Sequence, residues 1–106
     1  MPERLWLGIK VNGKLVSIGG GRLDDWGSCI HTVATLEGYR NRGYATSIVS
    51  ALVEQMLKRS KLALIYVETK NLPAVRTYTK AGFEPYKKYT VIRAERSQNR
   101  KEENKP

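Results

Sequence analysis

Cysteine, histidine and phenylalanine each occur once in this chain of 106 residues, as Cys29, His31 and Phe83. A single cysteine excludes an internal disulfide framework and a cysteine-rich zinc site, and a single histidine removes the usual His/Cys ligand set, so no metal is expected. No apolar run approaches the ~20 residues that a membrane helix requires, and the first ten residues lack the charged start and apolar stretch of a signal peptide. Carboxylates are scarce: 10 Asp and Glu stand against 19 Lys and Arg, a formal net charge of +9. Five of the cations (Arg93, Arg96, Arg100, Lys101 and Lys105) lie in the last fourteen positions beside Glu95, Glu102 and Glu103. A net +2 therefore sits in that stretch and +7 on the rest. Such a body suits nucleic acid, an acidic partner or a small polyanionic ligand. Nucleic acid is the less favoured, because no ribonucleoprotein-type aromatic motif accompanies the charge. The length supports one domain, and a hydrophobic content of 41% is ordinary for a globular chain. The expectation is a soluble, cytoplasmic, single-domain protein.

What is present reads as alternating strands and helices. Residues 5–11 and 14–20 are apolar runs flanking Asn12-Gly13. This pair tolerates positive φ at both positions and predicts a two-residue hairpin turn. Gly19-Gly20-Gly21 is expected to loosen the end of the second strand. Asp24-Asp25-Trp26-Gly27 reads as a solvated turn. Residues 28–35 form a third strand, with Cys29, His31 and Val33 on one face and Ile30, Thr32 and Ala34 on the other. From Gly43 the period changes: Ala45, Ile48, Val49, Leu52, Val53, Met56 and Leu57 recur at helical spacing, giving about four turns. Lys58 and Arg59 are placed in its last turn. Residues 62–67 are continuously apolar, as in a central strand covered on both faces. Asn71 is a helix N-cap with Pro73 in the first turn, and Ala74, Val75, Tyr78 and Ala81 form one face of a short helix closed by Gly82. Residues 89–94 supply a last strand, and residues 95–106 are charged, without large apolar side chains, and expected to be disordered. The order is β-β-β-α-β-α-β: an α/β domain over residues 1–94, with an α+β mixed sheet.

Chemistry concentrates between the third strand and the first helix. A helix start offers unpaired backbone N–H groups and the positive end of the dipole. Gly43 and Ala45 let a bulky anion approach the backbone, and Arg40 and Arg42 add charge. This pattern predicts a phosphate or pyrophosphate site; an ordinary strand-to-helix turn with solvated arginines is the competing explanation.

Arg40-x-x-Gly43-x-Ala45 resembles the acyl-CoA pyrophosphate loop of the GNAT superfamily of N-acetyltransferases. The wider run from Val33, Ala34 and Thr35 through Tyr39, Arg40, Asn41, Arg42, Gly43, Tyr44, Ala45 and Thr46 is similar to a Val-Tyr-Thr … Tyr-Arg-Gly-x-Gly-Tyr-Ala-Thr pattern in that superfamily. Asn71-x-x-Ala74-x-x-x-Tyr78-x-x-x-Gly82-Phe83 resembles its second motif. The likeness spans about residues 5–94, the C-terminal two-thirds of a typical member. It implies a GNAT-like fold and acetyl-CoA as cosubstrate, with acetyl passing to a primary amine by direct attack in a ternary complex.

By that resemblance, the backbone of Val33, Ala34 and Thr35 holds the pantetheine arm and polarises the thioester carbonyl. Arg40, Asn41, Arg42, Gly43, Tyr44, Ala45 and Thr46 bind the pyrophosphate, and Asn71 contacts the arm. Tyr78 aligns with the tyrosine that protonates the departing thiolate; a phenol is a proton donor at neutral pH. A core aromatic with its hydroxyl bonded elsewhere is the other reading of Tyr78. Many members carry a glutamate on the third strand as general base. Here the neighbourhood is Cys29-Ile30-His31, and imidazole, which changes charge near neutrality, leaves His31 as either base or packing residue. Glu37 is read as solvated and Cys29 as a small apolar group.

Two features depart from the pattern. Asn41 stands where related members often have glycine. The chain also opens at the hairpin, whereas a strand and two helices precede it in typical members and wall the acceptor site. That difference leads to the expectation of a homodimer or a partner subunit. A CoA-binding module without acceptor chemistry is the first rival reading, and a basic nucleic-acid-binding protein the second.

Overall fold

The hairpin forms where Asn12-Gly13 predicts it. In the computed structural model, which describes residues 3–68, 70–84 and 91–94, Asn12 and Gly13 both have positive φ, +51° and +82°. They join β1 (Glu3–Val11) to β2 (Lys14–Leu23) with Val11 opposite Lys14. Leu5, Leu7 and Ile9 of β1 pack on the core, while Trp6 stands on the other face.

The glycine triplet does not loosen β2, which continues through it to Leu23. Each glycine instead admits a close neighbour. A Cβ on Gly19 would lie 2.4 Å from Ile48 Cγ2 on the first helix, one on Gly20 2.4 Å from the Trp6 ring, and one on Gly21 2.1 Å from the Cys29 carbonyl oxygen. Three glycines in a row mark three tight contacts rather than a frayed end.

The third strand, β3 (Gly27–Thr35), runs antiparallel to β2, but its two faces do not alternate as expected. The pairing steps from Gly20 opposite Thr32 to Gly21 opposite Ile30. His31 is thus an extra residue on β3, a β-bulge, and the parity reverses there. Ile30 and Val33 both pack on the core, Cys29 is buried outside that cluster, and His31 is exposed.

After β3 come a single 3₁₀ turn (Glu37–Tyr39) that the sequence reading did not foresee, and then α1 (Tyr44–Leu57). Ile48, Val49, Leu52, Val53 and Met56 of α1 are buried against the sheet, as the helical period requires. Lys58 is the C-cap rather than part of the last turn, and Arg59 beyond it forms ion pairs with Glu3 and Asp25.

The strand β4 (Leu62–Tyr66) pairs in parallel with β3, with Ala63 and Ile65 in the core. Its start is tied down by a buried polar group: Ser60 and Ser28 hydroxyls bond each other, and Ser60 bonds the Asp24 carbonyl. Next, α2 (Leu72–Lys80) ends on Gly82 at φ +98°. Phe83 N–H donates to the Tyr78 carbonyl and Gly82 N–H to that of Thr79, both at 3.0 Å, the Schellman pair that Gly82 and Phe83 predict. A final strand, β5 (Val91–Ala94), pairs antiparallel to β4. The expected start of that strand at residues 89–90 and the tail at 95–106 lie outside the described residues.

The result is one five-stranded mixed sheet in the order β1-β2-β3-β4-β5, the β-β-β-α-β-α-β succession read from the sequence. Among the described residues, no helix is long and apolar enough to cross a membrane.

Candidate functional site

The sheet opens where β3 and β4 part. Their parallel ladder runs from Gly27 opposite Leu62 to Ile30 opposite Ile65 and stops there, while β3 continues to Thr35. The bulge at His31 lies at the point of parting, as bulges do where a strand is re-aimed. The edge of Val33, Ala34 and Thr35 that would face β4 therefore carries no ladder partner among the described residues. This gap forms part of a cavity of about 760 Å³. Its lining comes from the end of β3, the loop before α1, the first turn of α1 and one side of α2.

The start of α1 faces this cavity. Gly43 is the N-cap in a left-handed conformation, φ +84°, and no side chain caps the helix. Ser47 N–H makes the first helical bond, to the Gly43 carbonyl at 3.0 Å. The amides of Tyr44, Ala45 and Thr46 precede it and stand without intrahelical acceptors at the positive end of the dipole. Asn41 also has positive φ, +62°. Asparagine is among the few non-glycine residues at ease there.

The two loop arginines are not equivalent. Arg40 lines the cavity, and its Nε donates to the Thr35 carbonyl at 3.1 Å, fastening the loop to the end of β3. Arg42 does not line it; its guanidinium stacks 5.5 Å from the Tyr39 ring centre, with Lys14 Nζ 5.8 Å from the same ring.

On α2, the Asn71 carboxamide oxygen accepts from Ala74 N–H at 3.3 Å, so Asn71 both caps the helix and borders the cavity. Tyr78, half-buried, lines the cavity and sets its ring edge-on to Phe83, 6.3 Å between centres. Its hydroxyl has no hydrogen-bond partner among the described residues, and burial raises its pKa above the ordinary phenol value. The structure thus brings Val33, Ala34, Thr35, Arg40, Asn41, Gly43, Tyr44, Ala45, Thr46, Asn71 and Tyr78 to one cavity. It does not bring His31 or Cys29 there. Burial raises the Cys29 thiol pKa, with Arg22 partly offsetting the rise.

Sequence reasoning missed Arg76, Thr77 and Lys80, which also line the cavity. With Pro73 they recur at three- and four-residue spacing along α2, beside the Asn71–Ala74–Tyr78 face, but that spacing alone does not tell a site from a solvated helix face. Among the described residues no carboxylate lines the cavity, and no cluster of His, Cys, Asp and Glu could hold a metal ion. A wall of free amides and cations without acids can hold an anion and leave a phenol beside it.

Comparison with known proteins agrees with this geometry. The family model described as acetyltransferase (GNAT) family matches residues 1–83. No curated protein matches the chain. Among solved structures, the PaiA N-acetyltransferase of Thermoplasma acidophilum in complex with coenzyme A superposes with a TM-score of 0.77 at 14% identity, covering 89% of this chain and 62% of that one. The ribosomal-protein-S18-alanine N-acetyltransferase of Escherichia coli gives 0.72 at 17%, covering 85% and 66%. A GNAT-family acetyltransferase of Streptococcus pneumoniae gives 0.71 at 20%, covering 85% and 64%. The present chain spans a little under two thirds of the length of these three.

Proposed function

The chain belongs to the GNAT family of acetyltransferases, and on that footing we propose that it transfers acetyl from acetyl-CoA to a primary amine by direct attack within a ternary complex. The observation that carries this reading is the meeting in one cavity, with no acid or other partner for them among the described residues, of an open strand edge, an uncapped helix start and a phenol. The uncapped amides of Tyr44, Ala45 and Thr46, with Gly43, Arg40 and Asn41 around them, suit a pyrophosphate. The open edge of Val33, Ala34 and Thr35 suits an extended arm carrying amides of its own, and Asn71 is placed to bond it from the other wall. Arg42, turned onto Tyr39, acts on the phosphates only through its charge and by shaping the loop.

Acetyl-CoA supplies an activated thioester. Backbone groups of β3 polarise its carbonyl, in the manner of an oxyanion hole. The amine nitrogen bonds the carbonyl carbon as the carbon–sulfur bond breaks. Tyr78 gives its proton to the departing sulfur, and the amine gives one up to water. His31 stands outside the cavity, so its part as base is limited to accepting that proton through water. Burial keeps Tyr78 in the protonated state this role needs.

The acceptor is a primary amine whose binding surface lies over the face of the sheet opposite α1. We place the reaction in the cytoplasm, and assign the cover of that face to a second copy or a partner subunit. The large exposed side chains Trp6 and Tyr66 support that assignment. The test is thiol release from acetyl-CoA against a panel of primary amines, with calorimetry of acetyl-CoA alone. Binding with turnover is the expected result. Binding without turnover on any amine, with a second copy present, would leave a CoA-binding module; absence of binding would remove the reading.

A further inference from the structure

The cavity holds more positive charge than a pyrophosphate requires. Arg40, Arg76 and Lys80 line it, with no Asp or Glu among the described lining residues. In the acetyl-CoA reading the pyrophosphate is assigned to the uncapped start of α1, at its own end of the cavity. Arg76 and Lys80 lie elsewhere, on α2, four residues apart and so on one side of that helix. Both are exposed, and among the described residues neither forms an ion pair; the ion pairs there all belong to Arg59. A structural task for them is not visible. Lys80 sits in the last turn, where the dipole favours a cation, but Arg76 stands mid-helix and gains nothing from it.

Resting on the acetyl-CoA reading above, we propose that Arg76 and Lys80 form a second anion subsite that takes the 3′-phosphate of the CoA ribose and makes the site selective for CoA over its dephosphorylated form. The chemistry suits the pair. A phosphate monoester carries close to two negative charges at neutral pH and presents three acceptor oxygens. A guanidinium binds two of those in a planar fork, while an ammonium bonds the third as a point charge. Because both cations are exposed, their contribution is moderate and weakens as salt rises.

The experiment is calorimetry with CoA and with 3′-dephospho-CoA, on the wild-type chain and on the Arg76→Ala/Lys80→Ala double variant, at low and high salt. The wild type is expected to bind CoA about 10-fold more tightly than dephospho-CoA at low salt. In the double variant CoA should fall to the level of dephospho-CoA, while dephospho-CoA itself changes by less than about 2-fold. Added salt should narrow the wild-type difference. Equal binding of the two ligands by the wild type overturns the subsite while leaving the CoA site standing. So does a double variant that weakens both ligands alike, because its cations then act on a group the two share. If neither ligand binds the wild type, the acetyl-CoA reading fails and the subsite fails with it. The comparison of ligands on the unaltered chain needs no variant to fold.

Discussion

Tyr78 is the residue to which we assign proton delivery, and its surroundings separate the two roles a tyrosine can have. Its ring packs on Phe83, while its hydroxyl has no bond to any described residue. Phenylalanine keeps the first role and removes the second. Tyr78→Phe is therefore expected to lower turnover by about 10²–10⁴-fold while acetyl-CoA affinity by calorimetry stays nearly unchanged. An unaltered rate, with the chemical step shown to limit it, would return Tyr78 to packing alone. Gly43 carries the other residue-scale prediction. At φ +84° it has nothing within 4 Å of where a Cβ would stand, so a substitution meets backbone strain but no clash. Gly43→Ala should cost about 1 kcal/mol in chemical denaturation and keep the site. Gly43→Glu should remove detectable acetyl-CoA binding from a folded protein, because it sets a carboxylate beside the first-turn amides. The helix start at Gly43 and the cap at Asn71 were legible in the sequence because each meets a conformational need that few residue types meet; Asn41 stood out only as a departure from a motif, and Tyr78 through resemblance to one. Arg76 and Lys80 were not legible, because cations on a short helix read as a solvated face until a cavity is seen beneath them.

At the scale of elements, the hairpin, both helices and the parallel strand follow from local signals: Asn12-Gly13, the spacing of apolar residues in α1, and the Asn71 and Gly82 caps. The bulge at His31 does not. It depends on the two strands flanking β3, and a run such as Ser28 to Thr35 contains no glycine or proline to announce it. Gly19, Gly20 and Gly21 were visible but have two physical meanings, freedom or close approach, and only the neighbours Ile48, Trp6 and Cys29 decide between them. The contrast can be measured. A methyl group on Gly21 would meet the backbone of Cys29 and Ile30, which cannot swing aside, at the very step where the register changes. Gly21→Ala is expected to destabilise the chain by about 3 kcal/mol or more, against about 1 kcal/mol for Gly13→Ala in the open hairpin turn. Equal costs in urea denaturation would mean that β2 and β3 do not approach so closely.

At the scale of the molecule, the face of the sheet away from α1 is the unfinished part. Trp6 is 54% exposed, Leu15 50% and Tyr66 65%. An open patch of this kind is expected to associate, burying at least ~1,000 Å² in a stable pair. Light scattering at micromolar concentration should show a dimer that Trp6→Glu returns toward monomer; a wild-type monomer active on a small amine would show that no borrowed wall is needed. Alkaline pH acts on the whole fold as well. Burial holds the Cys29 and Tyr78 protons more tightly in the folded chain than in the unfolded one. Their contribution is full below the ordinary thiol value and is lost as pH rises through the folded values. The denaturation midpoint should therefore fall above about pH 9, and Cys29→Ala should delay the onset of that fall.

The parting of β3 and β4 has a consequence in time as well as in space. A sheet protects its amides from solvent deuterium by pairing them, and local openings set how fast the label enters. The β4-side edge of β3 beyond Ile30 and the first turn of α1 find no such pairing among the described residues, although they adjoin the best-buried part of the molecule. Here the heart of the sheet should label early, and a bound arm lying along β3 should act as a missing strand. It would slow deuterium uptake from Val33 to Thr35 and from Tyr44 to Thr46, while the hairpin and the far side of α1 keep their own clocks.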